Sequence, residues 1–344
     1  TSGLMFGDPL APVAGSLASV TYTNGTNIAI ITFDALVQPG VAPSTLFVNN
    51  AALQAYSSVS AGPNFLASNR YDLASVTTAN PTMSKALVGT EISNTNNTPN
   101  EATIGEVITY TVVITVPEGV MPNFIVTDTL DNGLAFVDCL AVAASPALST
   151  SSGAPFGSVM CNDPTNPAIS AAGGGAGANG RRIAWNFRTI TNTDTNNSQP
   201  ETIILTYTAV VLNLTGSPDN VLGQLRKNNV LATYNTTGTI ALVTAPNVTL
   251  VEPALTLAKT ANPTVGDAGD VITYALSLTP AAGGTNADAY DVVLTDTLPA
   301  FMIYDPLSLV TAPAPTTLVS VTVGGVTYIT ATYSQIAVGT TPRL

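Results

Sequence analysis

Gly105-Glu106-Val107-Ile108-Thr109-Tyr110 begins a stretch that continues through Thr115-Val116-Pro117 and ends in Phe124-Ile125-Val126-Thr127-Asp128-Thr129-Leu130. It returns as Gly269-Asp270-Val271-Ile272-Thr273-Tyr274, through Thr279-Pro280, to Val292-Val293-Leu294-Thr295-Asp296-Thr297-Leu298. In the first copy Ile108, Tyr110, Val112, Ile114 and Val116 alternate with a largely threonine face, the period-two pattern of a strand with one side buried. A proline interrupts each copy, and a second β-rich run follows. Two strands and a turn, used twice, make an all-β chain the first expectation.

Other landmarks move with these copies. Lys85 and Lys259 precede them, and the interval between the two lysines nearly equals that between Asp128 and Asp296. Val48-Asn49-Asn50-Ala51-Ala52 echoes Lys227-Asn228-Asn229-Val230-Leu231, and the interval from Asn49 to Asn228 is again nearly the same. Each interval is close to half of the chain of 344 residues, which therefore holds about two periods, cut out of phase. Residues 1–80 read as the C-terminal half of a β-sandwich repeat, 81–252 as a complete repeat, and 253–344 as the N-terminal half of another. The pattern predicts strands over 19–23, 28–36 and 46–56, with a turn at Asn24-Gly25. It also predicts strands over 182–187, 202–212, 228–234, 318–323 and 326–332, and polar turns at 94–100 and Gly324-Gly325. Short antiparallel strands at this spacing suggest tandem immunoglobulin-like sandwiches, one complete and two partial. Residues 141–180, rich in Ala and Ser and then Gly, read as a surface insertion.

Composition narrows the function. Hydrophobic residues make up 45% of the chain, enough for real cores, but only 9% is charged, against roughly 25% in an average domain. A net charge of −12 with no basic run argues against nucleic acid as a partner. The lack of a long uninterrupted apolar run argues against membrane insertion within this chain. Histidine is absent, which removes Ser-His-Asp and Cys-His machinery and the commonest metal ligand. No metal, cofactor or enzymatic turnover is expected. Lysine occurs only at 85, 227 and 259, and two of those three stand at equivalent repeat positions.

Cys139 and Cys161 are the only cysteines, and they flank one insertion. A disulfide between them, in an oxidising extracellular setting, is preferred over two free thiols. Gly175-Ala176-Gly177-Ala178-Asn179-Gly180 fits a dinucleotide fingerprint in letters only, because a strand follows it instead of a helix. Asn192-Thr193-Asp194-Thr195-Asn196 lacks the glycine and the acidic residue of a calcium loop and reads as a polar hairpin. The Asn-x-Ser/Thr triplets at Asn24, Asn96, Asn196, Asn213, Asn235 and Asn247 are expected by chance in so Asn- and Thr-rich a chain.

One constellation remains: lysine on a first strand, aspartate in Thr-Asp-Thr-Leu, asparagine on a last strand. In this order, and repeated, it resembles the surface repeats of bacterial proteins known as DUF11 and the related D2 domains of Gram-positive pilins. That resemblance implies an internal Lys–Asn isopeptide bond. Lys85 would be the nucleophile, Asp128 the acid, and Asn228 or Asn229 the acceptor. In the other copy Lys259 and Asp296 match the first two, and Asn49 or Asn50 the third. The chemistry suits the residues. Burial disfavours the ammonium and the carboxylate alike, leaving an amine that can attack and an acid that can polarise the amide. The alternative is a plain Lys–Asp ion pair.

The function expected is a structural module of an extracellular, cell-surface fibre or stalk, its sandwiches strung head to tail with copies of itself or neighbouring repeats. An adhesin using the 141–180 insertion is the alternative, although Phe156 is the only aromatic residue there. The two halves fit one domain. Joining Leu344 of one copy to Thr1 of the next would place Asp296 almost as far before Phe33 as Asp128 stands before Tyr207. The join is expected either within one long tandem polypeptide or between subunits, each tail completed by the next head.

Overall fold

The computed structural model describes residues 33–90, 100–163, 166–173, 178–196, 199–214, 220–280 and 287–338. The strand expected at 19–23, the turn at Asn24-Gly25, residues 28–32, positions 94–99 of the polar turn and residues 174–177 lie outside them. The chain divides into two compact units, Thr1–Ala79 and Asn80–Leu344.

In the first unit, β1 (Leu46–Leu53) and β2 (Arg70–Thr77) form an antiparallel two-stranded sheet, with Asn49 opposite Ala74 and Asn50 opposite Leu73. Residues 33–38 form no strand, contrary to the expectation for 28–36.

The second unit opens with a sandwich. One sheet has the order β3 (Thr82–Thr90), β5 (Val107–Val116), β11 (Glu201–Val211), β7 (Leu134–Ala144). The other has the order β14 (Gly238–Thr244), β13 (Asn228–Tyr234), β6 (Gly119–Leu130), β10 (Arg182–Asn192), β8 (Leu148–Thr150), with β9 (Ala168–Ser170) also on β10. A small third sheet joins β4 (Glu101–Ala102), β12 (Leu225–Arg226) and β15 (Val248–Leu250). β5 turns Ile108, Tyr110, Val112, Ile114 and Val116 inward, as its alternation requires. Pro117 cannot extend the ladder. Gly119, at φ 113°, takes a backbone conformation that other residues avoid, and the chain enters the opposite sheet as β6. Trp185, Tyr110, Tyr207, Phe124 and Phe187 fill the space between the sheets. Burying a large side chain of this kind contributes roughly 1.5–3 kcal/mol.

The 141–180 stretch is not a simple surface loop. β7 runs to Ala144, β8 and β9 extend the sheet at β10, and a single helical turn, α1 (Ser158–Cys161), carries Met160 into the core. Phe156 packs on Phe187, with ring centroids 6.0 Å apart. Val142, Leu148 and Met160 turn inward while Ile169 stays exposed, a division that the Ala/Ser/Gly composition concealed. Cys139 on β7 and Cys161 on α1 are disulfide-bonded, their Cα atoms 5.2 Å apart, so the turn is tied to the sheet.

Beyond the sandwich the repeat begins again. β16 (Leu255–Asn262) pairs with β17 (Thr273–Pro280), setting Lys259 opposite Leu276 as Lys85 stands opposite Val112. β18 (Ala289–Leu298) pairs with β20 (Val326–Ile336), which pairs with β19 (Thr317–Val323). Asp296 faces Ile329 across this ladder as Asp128 faces Ile183. β20 reaches Ile336, longer than the expected 326–332.

Among the described residues this copy stops there. Where the complete repeat forms β7, residues 299–311 form no strand, and Phe301, Ile303 and Leu307 are fully exposed. The reason is the ladder. The only described strand paired with β7 is β11, and no described strand supplies a β11 here. The same argument covers residues 33–38. Their counterpart β11 lies between β5 and β7, and the described part of the first unit offers neither neighbour.

Candidate functional site

The sandwich gathers four polar side chains at one place in its interior. Lys85 projects from β3, Asp128 from β6, Tyr207 from β11 and Asn228 from β13. Each sits at an inward position of its strand, so period-two alternation alone points it at the opposite sheet. β6 and β13 are hydrogen-bonded neighbours, with Asn228 opposite Leu130 and Val230 opposite Asp128. Lys85 and Tyr207 reach across from the facing sheet.

The contacts close on one another. Lys85 Nζ donates to Asp128 Oδ2, to the Tyr207 hydroxyl at 2.9 Å and to Asn228 Oδ1 at 2.6 Å. Tyr207 donates to Asp128 Oδ2 at 2.7 Å and accepts from Asn228 Nδ2 at 2.8 Å. Aromatic rings wall the cluster. Lys85 Nζ lies 5.4 Å from the Tyr110 centroid and 5.5 Å from that of Tyr207. Trp185 packs on Tyr207 with centroids 5.4 Å apart.

The side chains of Lys85 and Asp128 have 0% exposure. Burial pulls the Lys85 amine down to about 8, against the opposing pull of Asp128. Burial pushes the Asp128 carboxyl up, although Lys85 draws it the other way. Both shifts favour the uncharged amine beside the protonated acid. Asp128 Oδ1 has no hydrogen-bond partner, a costly position for a full carboxylate charge. The Tyr207 hydroxyl is pushed well above its ordinary value, first by burial and then by Asp128, and stays protonated.

The structure thus places Lys85, Asp128 and Asn228 in contact. Asn229 points the other way and accepts a hydrogen bond from Thr244 at 2.7 Å. Period two separates the adjacent asparagines, and the register of β13 on β6 selects Asn228. Lys259 and Asp296 form an ion pair, with Lys259 Nζ 4.8 Å from the Tyr274 centroid. Asn49 and Asn50 lie on β1 of the other unit, on opposite faces of its sheet. Tyr207 is the member that sequence reasoning left without a role. Tyr110 and Tyr274 coincide in the two copies, but no repeat marked Tyr207, so repetition carried no signal for the hydroxyl.

No protein-family model matches the chain and no curated protein matches it, so the resemblance to DUF11 stays with the residues that carry it. Among solved structures, the pilus backbone protein of Streptococcus pneumoniae is similar at 16% identity and a TM-score of 0.28, over 46% of this chain and 33% of that one. The major pilin SpaD of Corynebacterium diphtheriae is similar at 12% identity and 0.29, over 60% and 56%. The T6 backbone pilin of Streptococcus pyogenes is similar at 12% identity and 0.28, over 76% and 47%. The matches span a third to just over half the length of those structures. At these scores the likeness carries no argument about what this chain does.

Proposed function

We propose that the chain is a structural module of an extracellular, cell-surface filament, built from sandwiches set head to tail, and that its complete repeat is locked by a Lys85–Asn228 isopeptide bond. The observation that carries this reading is the closed cluster itself. A lysine touches both an acid and an amide deep in the core, so the chemistry they suit is a single reaction with one another.

The step balances without a co-reactant. The neutral Lys85 amine attacks Asn228 Cγ, one bond from the oxygen it already contacts. A C–N bond forms from Nζ to Cγ, and the bond from Cγ to Nδ2 breaks. Protonated Asp128 gives its proton to the amide oxygen as the amine attacks, and the carboxylate left behind takes up the proton that Lys85 sheds. The Tyr207 hydroxyl, touching both Asp128 Oδ2 and Asn228 Nδ2, hands a proton to the departing nitrogen, which leaves as ammonia, and is restored through Asp128 with the proton that the amide oxygen gives back. The reaction occurs once per chain, so the protein is not an enzyme in the turnover sense. The disulfide fits an oxidising extracellular setting. The adhesin reading loses its one aromatic candidate, because Phe156 packs inward against Phe187.

Intact mass tests the lock. The folded chain should weigh one ammonia less than its sequence for the complete repeat, and a peptide pair joined at Lys85 and Asn228 should survive digestion. Full sequence mass in a folded chain leaves an ion pair and ends the isopeptide reading.

A further inference from the structure

Among the described residues the second copy has no strand in the place of β13, and the first unit carries a strand with the same asparagine doublet. In the sandwich β6 is an interior strand between β10 and β13. In the second copy β18 pairs with β20 on one side, and its other edge has no partner among the described residues. The hairpin β1–β2 matches β13–β14 through its asparagine doublet, and among the described residues it has no neighbour of the kind that β6 supplies.

The hairpin also shows which asparagine would face inward. Side chains of directly paired residues lie on the same side of a sheet. One face carries Leu46, Val48, Asn50 and Ala52 with Tyr71 and Leu73. The other carries Phe47, Asn49 and Leu53 together with Arg70 and Asp72. The uncharged face is the one a core accepts, and it holds Asn50. Spacing agrees. Tyr234 follows Asn228 by six residues and is buried at the end of β13, and Tyr56 follows Asn50 by six. Both faces of the hairpin are exposed in the chain alone, with Tyr71, Leu73 and Leu46 at 72%, 64% and 61% and Val76, Leu53 and Phe47 at 59%, 49% and 40%, so the hairpin as a whole is uncovered and charge distinguishes its faces.

We infer that β1 of one copy of this chain adds to the free edge of β18 in a second copy, bringing Asn50 to Lys259 and Asp296 and completing an isopeptide site that joins the two molecules. The register follows the complete repeat, with Asn50 opposite Leu298 and Ala52 opposite Asp296, as Asn228 is opposite Leu130 and Val230 opposite Asp128. The inference rests on the reading of Lys85, Asp128 and Asn228 as a bond-forming set, and adds that the second site is shared between molecules. Lys259 is 38% exposed, and the partner strand is what would cover it. Docking therefore precedes the bond. The amine of Lys259 then attacks Asn50 Cγ, the bond from Cγ to Nδ2 breaks, and one ammonia leaves per link. A closed contact of this head-to-tail kind repeats into an open filament.

The test uses the full chain, mixed from unlabelled and heavy-isotope preparations and concentrated. Denaturing electrophoresis should show a ladder of multiples. Digestion should yield a Lys259–Asn50 peptide pair, short of one ammonia and containing both isotope labels. Lys259→Met and Asn50→Ala should each abolish the ladder, Asn49→Ala should keep it, and none should alter the mass loss at Lys85. A chain that stays monomeric, assembly that dissolves into single chains, a link confined to one isotope label, or a ladder lost in Asn49→Ala and kept in Asn50→Ala overturns the inference. A ladder formed while Lys85 and Asn228 remain unlinked overturns the internal lock and leaves this inference standing.

Discussion

Lys85 and Lys259 occupy the same place in the repeat, each on the strand before the organising stretch and each paired with the aspartate of Thr-Asp-Thr-Leu. Their surroundings differ. Lys85 is sealed between two sheets and touches an amide and a phenol as well as its acid. Lys259 keeps its acid and an aromatic neighbour but is 38% exposed. Sequence identity at a site is thus not enough to set its chemistry. The two strands that close the first site, β11 and β13, help to bury the pair, and burial shifts both groups toward their neutral forms.

The largest effect that would break this comparison is expected from Lys85→Ala. It removes one partner of a buried pair, at a cost of about 3–5 kcal/mol, and any cross-link with it. The same change at Lys259 in the unassembled chain should cost under about 1 kcal/mol, as for exposed pairs. Denaturant unfolding of both variants checks the contrast, and equal losses would mean that burial does not separate the sites.

Opening the disulfide should rank next. Releasing the loop from Cys139 to Cys161, a separation of 22 residues, costs about 3 kcal/mol on chain-entropy grounds. Cys139→Ser with Cys161→Ser should lower the melting temperature of the sandwich and leave the Lys85 cluster intact, so the ammonia loss should persist. Its disappearance would show that α1 and β7 position the site.

Tyr207→Phe sharpens the comparison from inside, since it removes the hydroxyl that joins Asp128 to Asn228. Loss of one buried hydroxyl with its partners should cost about 1–3 kcal/mol. It should slow the appearance of the lighter mass after refolding without preventing it. In the unaltered chain that rate should rise as pH climbs toward about 8, the value to which burial lowers Lys85, because the neutral amine becomes the major form there. The linkage has the same sign. The folded value lies below the unfolded one of 10.5, so an unlinked chain gains stability from Lys85 as pH rises through that window and loses it as pH falls. A rate independent of pH would remove the amine from the slow step. The smallest effect belongs to Asn229→Ala, within about 0.5 kcal/mol as for a surface change, with the mass loss unchanged. A lost cross-link there would reassign the acceptor.

Much of this was legible in the order of residues. Alternation in Val107–Val116 fixes a strand with one buried face, because successive side chains must point to opposite sides. The coincidence of Lys85 with Lys259 and Asp128 with Asp296 marks the two charged members, because a chain nearly free of lysine has little reason to repeat one by chance. The tertiary structure decided what depends on neighbours remote in sequence. It chose Asn228 over Asn229, through the register of β13 on β6. It brought Tyr207 to the cluster from the opposite sheet, where no repeat had marked it. It turned Met160 and Phe156 of a low-complexity stretch into core. Residues 33–36, the described end of the strand expected over 28–36, form none, because hydrogen bonds in a sheet belong to pairs of strands. A sequence specifies which residues can enter a ladder, and only the fold supplies the other half of it.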